Sequence, residues 1–390
     1  MAIPVAYNLL SAKERWTSSV VAVLGIAGTV GVFVAMLALA RGFQATLTSS
    51  GLPENAIVQR SGADNEMTSV LSADDVRIVE DAPQVARGAA GPLVSPEVVV
   101  IASLAMRHSD GEANVQIRGV SPRVLSVRSN VKIVEGRFLT PGLAEAVVGK
   151  GARDAYQGLD LGATVRIGAG TWRIVGVFDG KGTAFDSEVW ADAAILNGFY
   201  QRPPSIFQAA TVTLRSADDF PAFEAFLKGD PRLNLQALRE KAYYEKQSQV
   251  VTTLITVLGS LVAAVMALGA VFGALNTMYS AVAAPTREVA TLRALGFGPG
   301  AVVVSVMAES LLLALVGGVM GALGAWLFFD GYRTSTLNWD TFSQVTFAFD
   351  VTPALLIQGT VFALILGLAG GLFPAIRAAR LPVTAALREL

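Results

Sequence analysis

Four long segments of this chain carry almost no charge, and their length limits the fold more than any other feature. Residues 16–40, 247–286 and 351–376 contain no Asp, Glu, Lys or Arg, and residues 294–329 contain only Glu309. A helix of about 20 apolar residues crosses the hydrocarbon core of a bilayer. Each segment is long enough, so the sequence predicts four membrane-spanning helices.

The charged residues are concentrated between the first and second of these segments. Residues 42–248 hold 24 acidic and 21 basic residues. Ser72 before Ala73-Asp74-Asp75 predicts a helix start, and Phe220–Leu227 predicts a second short helix. Apolar patterns around 56–58, 98–101, 115–117, 163–167 and 172–177 predict strands, with a tight turn at 168–170. The expected fold class is therefore a four-helix membrane protein with an inserted α+β domain.

The overall composition excludes several classes of protein. Hydrophobic residues make up 53% and charged residues 16% of the chain, against about 25% charged residues in a typical soluble domain. The mean hydropathy is +0.52, which argues against a soluble enzyme and excludes a disordered chain. The net charge of −1 gives no sign of nucleic-acid binding. The absence of cysteine excludes disulfides and thiolate metal sites, and His108 before Ser109-Asp110-Gly111 is expected in a solvated loop.

Basic residues in the short connections predict the orientation in the membrane. The first span ends with Ala38-Leu39-Ala40, which resembles a signal-peptide cleavage site, but its apolar stretch is too long and predicts a retained helix. The positive-inside rule places both termini in the cytoplasm and residues 42–248 in the periplasm of a bacterial inner membrane. The residues that support this are Lys13, Arg15, Arg287, Arg293, Arg377, Arg380 and Arg388.

The second span is too long for a bilayer alone. Its uncharged run 247–286 would reach about 60 Å as a helix, about twice the bilayer thickness. We expect residues 235–249 to be helical and to continue into this span, so that the helix projects from the membrane as a stalk. Tyr243 and Tyr244 would then belong to an aromatic belt at the membrane surface.

The connection between the second and third spans has the pattern of a short amphipathic helix. Pro285 suits a first helical position, Val289 and Leu292 recur at helical spacing, and Gly296 suits a helix end. Two interpretations stay open from the residues alone. The helix is either an interfacial elbow between two spans or a docking helix for a cytoplasmic partner.

Residues 276–311 resemble the core signature of FtsX/MacB-type ABC transporter permeases, the type VII or mechanotransmission superfamily. The resemblance rests on Asn276-Thr277-Met278, on 287–296 and on Glu309-Ser310-Leu311. It extends to Glu135-Gly136-Arg137-Phe138, which resembles the MacB-like periplasmic core domain, and to the C-terminal tail. Pro285 replaces a basic residue that is usual in the family. The chain also lacks the sequence of a phosphate-binding loop, so the ATPase fused in MacB is expected on a separate polypeptide.

The resemblance implies partners and a mechanism. Such permeases form dimers that two cytoplasmic ABC ATPase subunits clasp, and closure of the ATPases is transmitted along the stalks to the periplasmic domains. ATP and Mg would be bound by the partner ATPase, and no cofactor is expected in this chain, which is not itself an enzyme. The resemblance assigns the coupling helix to Pro285, Arg287, Glu288, Val289, Leu292 and Arg293.

The spans contain one charge and several spaced glycines. Burial of the Glu309 carboxylate in a membrane costs free energy. Glu309 is interpreted either as a proton or ion relay or as a structural hydrogen-bonding group. Glycine spacing favours close helix packing or a dimer contact. The candidate packing residues are Gly25, Gly28, Gly31, Gly317 and Gly321.

The predicted organisation follows the chain in nine segments. They are a cytoplasmic amphipathic segment (1–17), span one (18–41), the periplasmic α+β domain with stalk (42–248), span two (249–282), the coupling helix (283–298), span three (299–329), a periplasmic loop (330–350), span four (351–376) and a cytoplasmic tail (377–390).

Three functions fit a permease of this kind. The first is efflux or extraction of an amphiphilic, peptide or lipid-linked substrate by a homodimer with a periplasmic membrane-fusion adaptor. The second is FtsX-like control of a periplasmic cell-wall hydrolase without transport. The third is lipoprotein sorting as a heterodimer with a second permease. The sequence contains no Ser/His/Asp or metal constellation that would favour a membrane enzyme.

Overall fold

The computed structural model describes residues 16–283 and 298–380 of the chain. These residues form two compact units. The helical unit comprises the described residues up to Arg41, Thr253–Tyr332 and the described residues from Phe349 onwards. The sheet unit comprises Gly42–Thr252 and Arg333–Ala348.

The helices and strands of the described residues follow in chain order. They are α1 (Trp16–Thr48), β1 (Asn55–Arg60), β2 (Leu71–Ser72), α2 (Ala73–Glu80), β3 (Arg87–Gly88), β4 (Gly91–Pro92), β5 (Val94–Ala105), β6 (Glu112–Val120), α3 (Val124–Val127), β7 (Lys132–Gly136), β8 (Glu145–Gly149), α4 (Lys150–Ala155), β9 (Thr164–Ile167), β10 (Gly170–Asp179), β11 (Glu188–Asp192), α5 (Ala193–Phe199), β12 (Ile206–Phe207), β13 (Ala209–Thr213), α6 (Phe220–Gly229), β14 (Leu235–Arg239), α7 (Glu240–Ala283), α8 (Pro299–Phe329), β15 (Arg333–Asn338), β16 (Ser343–Ala348) and α9 (Pro353–Arg380). Short 3-10 turns lie at Glu66–Thr68, Ala184–Ser187 and Ala217–Asp219.

Four of the described helices, α1, α7, α8 and α9, are long and apolar enough to cross a membrane. The predicted number of spans is therefore confirmed. Helix α1 runs to Thr48, beyond the predicted end of span one at residue 41, and passes through Gly42. Burial of Phe43 and Leu47 stabilises this last part of the helix. Within the helical unit, α8 and α9 pack closely, and Ser310 Oγ donates a hydrogen bond of 2.7 Å to Gly367 O.

The sheet unit is built on one sheet with the strand order β14-β1-β13-β5-β6-β11-β8-β10-β7, and β9 pairs with β10. The long strand β5 joins its two halves. Its first residues pair with β13 from Val94 to Glu97, and its remainder pairs with β6 from Val98 to Ala105. The α+β architecture of the inserted domain is thus confirmed.

Each half of the sheet has its own hydrophobic core. The first half packs against α2 and α6, around Val76, Val79 and Phe223. Ser72 caps α2 as predicted, since its side chain accepts from Asp75 N. The second half packs around Trp172, which is fully buried.

Two segments differ from the expected structure. Residues 235–239 form β14 rather than a helix, because Leu235 and Ala237 alternate inward and pair with β1. The predicted loop 330–350 contains the hairpin β15–β16, which belongs to the sheet unit.

Candidate functional site

The first turns of α7 are buried inside the sheet unit. Glu240, Tyr243, Tyr244 and Gln247 are all buried, whereas Val250 and the residues beyond it expose a broad apolar face. The α7 helix is continuous over 44 residues, which corresponds to about 66 Å. One helix therefore joins the interior of the sheet unit to a membrane-spanning segment.

A cluster of six buried charges surrounds this helix start. We call it the charge cluster. Its members come from a 3-10 turn, three strands, the loop after α3 and the first position of α7, and each is at most 6% exposed. They are Glu66, Glu97, Arg118, Arg128, Glu188 and Glu240.

Arg118 is the centre of the charge cluster. Its Nε donates to Glu188, Nη1 donates to Glu66 and Glu97, and Nη2 donates to Glu188 and Glu66. The shorter of these bonds measure 2.8–2.9 Å. All five guanidinium donors are thus used. Burial of a charge is tolerated only with this degree of pairing, so the position of Arg118 fixes three separate elements.

Arg128 extends the network to α7. It donates to Glu97 at 2.8 Å, to Thr211 at 3.0 Å and to Glu240 at 2.6 Å. Its guanidinium carbon also lies 4.3 Å from the centre of the Phe185 ring, a cation–π contact. Arg128 therefore connects strands β5 and β13 with the first residue of α7.

Glu240 connects the two helices that lead into the membrane. Its Oε2 accepts from Leu52 N and from Asn55 Nδ2, each at 3.0 Å. Leu52 follows the end of α1 by four residues. Gly51 lies so close to α7 that a Cβ added there would come within 2.5 Å of Lys241 Cα. The end of α1 and the start of α7 are consequently held together by Glu240.

The electrostatics of the cluster follow from burial and pairing. Burial raises the pKa of Glu97, but Arg128 and Arg118 outweigh burial and hold that pKa below its usual value. Burial raises the pKa of Glu240 above its usual value, and Arg128 offsets only part of this. Burial also raises the pKa of Tyr243.

The charge cluster connects several elements of the sheet unit. Each of its four carboxylates accepts hydrogen bonds from groups on other elements. In the parts of the chain that the structure describes, no three His, Cys, Asp or Glu residues are placed to hold a metal ion. The cluster instead fixes the geometry between α1, α7 and both halves of the sheet.

The predicted role of Tyr243 and Tyr244 is wrong. Both side chains are buried in the sheet unit and do not lie in an aromatic belt. Tyr243 Oη accepts from Glu66 N at 3.3 Å, and the Tyr244 ring packs against Phe185. Their proximity to a long apolar run suggested a membrane surface, but distant residues of the sheet unit bury them.

The predicted coupling helix lies outside the described residues, and so do Pro285, Arg287, Glu288, Val289, Leu292 and Arg293. Glu309 is half-buried within α8. His108 is exposed in the loop after β5.

The candidate glycines fall into two groups. Gly317 and Gly321 lie against α1, where a Cβ at Gly317 would come within 2.9 Å of Val23 O and a Cβ at Gly321 would meet Ala27 O. Gly25 and Gly28 are exposed, and an added Cβ there would contact none of the residues that the structure describes. A Cβ at Gly31 would make only an ordinary contact with Gly321 O, at 3.5 Å.

Reasoning from the sequence missed the charge cluster. A usable signal was present, since Glu97, Arg118 and Glu188 each interrupt an apolar strand. Charged residues are almost never fully buried unless they are paired. Three such interruptions in neighbouring strands would have indicated a shared ion pair, but strand order is needed to know that the strands are neighbours.

Comparison with known proteins agrees with this architecture. Residues 19–229 match the MacB-like periplasmic core domain, and residues 260–383 match the FtsX-like permease C-terminal domain. The chain is 26% identical over 406 residues to the macrolide export ATP-binding/permease protein MacB 1/2 of Paracoccus denitrificans, covering 98% of this chain and 58% of that protein. It is 25% identical over 403 residues to the ABC transporter permease YknZ of Bacillus subtilis, covering 98% and 96%.

Among solved structures, the extracellular domain of YknZ from Gram-positive bacteria matches 47% of this chain and 99% of its own, with 16% identity and a TM-score of 0.37. The chain spans little more than half the length of the MacB relative. The match to the MacB-like periplasmic core domain covers more than half of the chain, and the FtsX-like match covers most of the remainder. The chain is therefore an ABC transporter permease, and it belongs to the family that combines a MacB-like periplasmic core domain with an FtsX-like permease domain.

Proposed function

We propose that this permease couples ATP hydrolysis in a separate ABC ATPase to movement of its periplasmic sheet unit. The observation that carries the proposal is the continuity of α7 with the charge cluster. A helix whose first residue is tied into a buried ionic network transmits tilt or displacement to the whole network. Helix α1 ends in the same network through Leu52 and Glu240.

The proposal includes the location and assembly of the protein. The permease lies in the bacterial inner membrane with both termini in the cytoplasm and the sheet unit in the periplasm. Two copies form a homodimer, and each copy binds one ATPase subunit through residues 285–293. ATP and Mg are bound by the ATPase. The basic residues of the cytoplasmic connections support this orientation.

The proposed activity is efflux or extraction of an amphiphilic, peptide or lipid-linked substrate, together with a membrane-fusion adaptor. The relative from Paracoccus is by name a macrolide export protein, which favours export over hydrolase activation and lipoprotein sorting. FtsX-like activation of a cell-wall hydrolase and lipoprotein sorting as a heterodimer are the alternatives. All three share the same coupling route through α7.

The first experiment tests the ATPase partner. Tagged permease is purified in mild detergent, co-purifying proteins are identified by mass spectrometry, and ATPase activity is measured on the same sample. Leu292→Asp places a charge on the apolar face of the predicted coupling helix, and Leu292→Met keeps an apolar side chain at the same position. We expect Leu292→Asp to lose the ATPase and its activity, and Leu292→Met to retain both.

The other co-purifying proteins distinguish the three functions. A periplasmic adaptor supports export, a hydrolase supports the FtsX-like role, and a second permease supports lipoprotein sorting. If no ATPase co-purifies and Leu292→Asp has no effect, the proposed coupling is wrong.

A further inference from the structure

The hairpin β15–β16 lies next to one side of the charge cluster. Its strands pair from Arg333↔Ala348 to Asn338↔Ser343. The inner face of the hairpin is buried, including Asn338 and Ser343, whereas Trp339 and Phe342 at the tip are more than half exposed. The hairpin therefore has a side that packs on the sheet unit and a side that faces outward.

A cavity lies beneath the inner face of the hairpin. Its volume is about 10 Å³, which is close to the space of one water molecule. Arg118, Glu66 and Glu188 of the charge cluster line one wall, and hairpin residues that include Thr341 and Ser343 line the other. Ion pairs weaken in contact with water because the local dielectric constant rises. The strength of the cluster consequently depends on the hairpin staying in place.

The buried side chains of Val345 and Phe347 and several single hydrogen bonds hold the hairpin on the sheet unit. Asn114 Nδ2 donates to Phe342 O at 2.9 Å, and Thr346 N donates to Ser187 Oγ at 2.9 Å. Asn65 Nδ2 donates to Asp340 O at 3.3 Å. Phe342 has a φ of 53°, a left-handed conformation that is costly for a bulky residue. Each of these hydrogen bonds is a weak restraint compared with the ionic network below the hairpin.

The hairpin is joined directly to two membrane-spanning helices. Residues 330–332 connect α8 to β15, and residues 349–352 connect β16 to α9. Linkers this short can extend only a little, so a displacement at the end of either helix is transmitted to the hairpin along the chain.

We propose that the β15–β16 hairpin is a latch over the charge cluster. In the closed position it keeps water from Arg118 and Glu188 and so holds the base of α7 rigidly. Movement of α8 or α9 lifts the hairpin, admits water and frees α7 to move. This inference rests on the proposed coupling function and adds a second route by which the spans control the sheet unit.

The chain contains no cysteine, so a single introduced thiol reports opening of the latch. Ser343→Cys places the thiol on the buried inner face, and Ser335→Cys places it on the exposed face of the same hairpin. A membrane-impermeant maleimide should modify Ser343→Cys at least about tenfold more slowly. Adding Asn114→Ala, which removes one restraint, should raise the Ser343→Cys rate roughly tenfold and leave Ser335→Cys unchanged.

A disulfide then locks the latch. A Cβ at Gly151 would lie 3.6 Å from Thr346 Cβ, within the range for disulfides. In the complex with its ATPase, Gly151→Cys/Thr346→Cys should lose ATP-coupled activity when oxidised and regain it on reduction. Gly151→Cys alone is the control, since the new side chain comes within 3.0 Å of Asp186 O.

The outcomes separate the latch from the coupling function. Equal modification of Ser343→Cys and Ser335→Cys in the resting protein contradicts the latch without reference to ATP. Full activity of the oxidised double variant also contradicts it. If no ATPase binds at all, the coupling function fails, but the resting difference in thiol reactivity still decides whether the hairpin shields the cluster.

Discussion

At the scale of single residues, buried ion pairs decide how the sheet unit responds to change. Replacing a complete ionic network with apolar residues can be neutral, but removing one partner leaves uncompensated charge. Arg118 has three buried carboxylate partners. Its loss therefore leaves more buried charge unpaired than the loss of any one Glu. Breaking the pair of Arg77 and Asp74 leaves no buried charge, since both side chains are more than 70% exposed and water solvates them.

Arg118→Met is expected to destabilise the protein by at least about 3 kcal/mol, because Glu66, Glu97 and Glu188 lose their common partner. Thermal unfolding followed by intrinsic tryptophan fluorescence, to which the buried Trp172 and Trp190 contribute, measures the loss in detergent-solubilised protein. Arg77→Met is the matched control and should change stability by less than about 0.5 kcal/mol. Similar effects of the two variants would show that the cluster is not tightly coupled.

A second prediction concerns pH and the pair of Arg137 and Glu145. Hydrogen bonds from Arg137 lower the pKa of Glu145 to about 2. The unfolded value is about 4.3. The pair therefore contributes stability that is fully present above the unfolded pKa and is lost as pH falls towards the folded pKa.

Glu145→Gln should consequently have a lower melting temperature than the parent protein at pH 7. The difference between the two melting temperatures should disappear between about pH 4 and pH 2. Melting temperatures over this pH range, for the parent protein and the variant, provide the measurement. Asp74→Asn, at an 85% exposed side chain, is the control. A constant difference between parent and Glu145→Gln across the range would contradict the assignment.

At the scale of elements, some glycines of α8 pack against another helix and others lie on an open surface. Gly321 contacts the backbone of Ala27, whereas Gly324, three residues further along α8, has open space beside it. The spacing of the glycines was visible in the sequence. Which of them face another helix of the same chain depends on the rotation of each helix, and only packing fixes this rotation.

Gly321→Ala is expected to destabilise the helical unit by about 1–3 kcal/mol, because the added methyl group collides with the main chain of α1. Gly324→Ala meets no atom and should be neutral or stabilising by up to about 1 kcal/mol through helix propensity. Melting temperatures in the same detergent compare the two. Equal destabilisation by both variants would contradict the observed packing of α1 on α8.

At the scale of the whole molecule, the proposed dimer and the coupling route extend beyond one chain. Gly25 and Gly28 are exposed on α1, and a Cβ added at either position would meet no atom of the described residues within 4 Å. This leaves them available for a second copy, as the family resemblance predicts.

We expect Gly28→Cys to form a disulfide-linked dimer when membranes are treated with a mild oxidant. The cysteine-free background makes the result unambiguous. Val319→Cys, at a 40% exposed position on α8, is the control and should stay monomeric on a denaturing gel. Cross-linking at Val319→Cys but not at Gly28→Cys would move the dimer contact to α8.

The sequence by itself determined the four spans, the inserted α+β domain and the family. These properties depend on hydropathy, strand periodicity and ordered motifs, all of which are local in the chain. The cap at Ser72 and the hairpin turn at Gly168 were predictable for the same reason, since a side chain within three residues or a positive φ decides them.

Only the tertiary structure decided where the charges of the sheet unit meet. Glu66 and Glu240 are far apart in sequence, and their side chains share one network because β5 joins the two halves of the sheet. The same long-range packing buried Tyr243 and placed Thr341 and Ser343 around the same small cavity as Arg118. Burial of a charge is set by its partners in space, and a sequence pattern of period 2 or 3.6 carries no information about partners from distant segments.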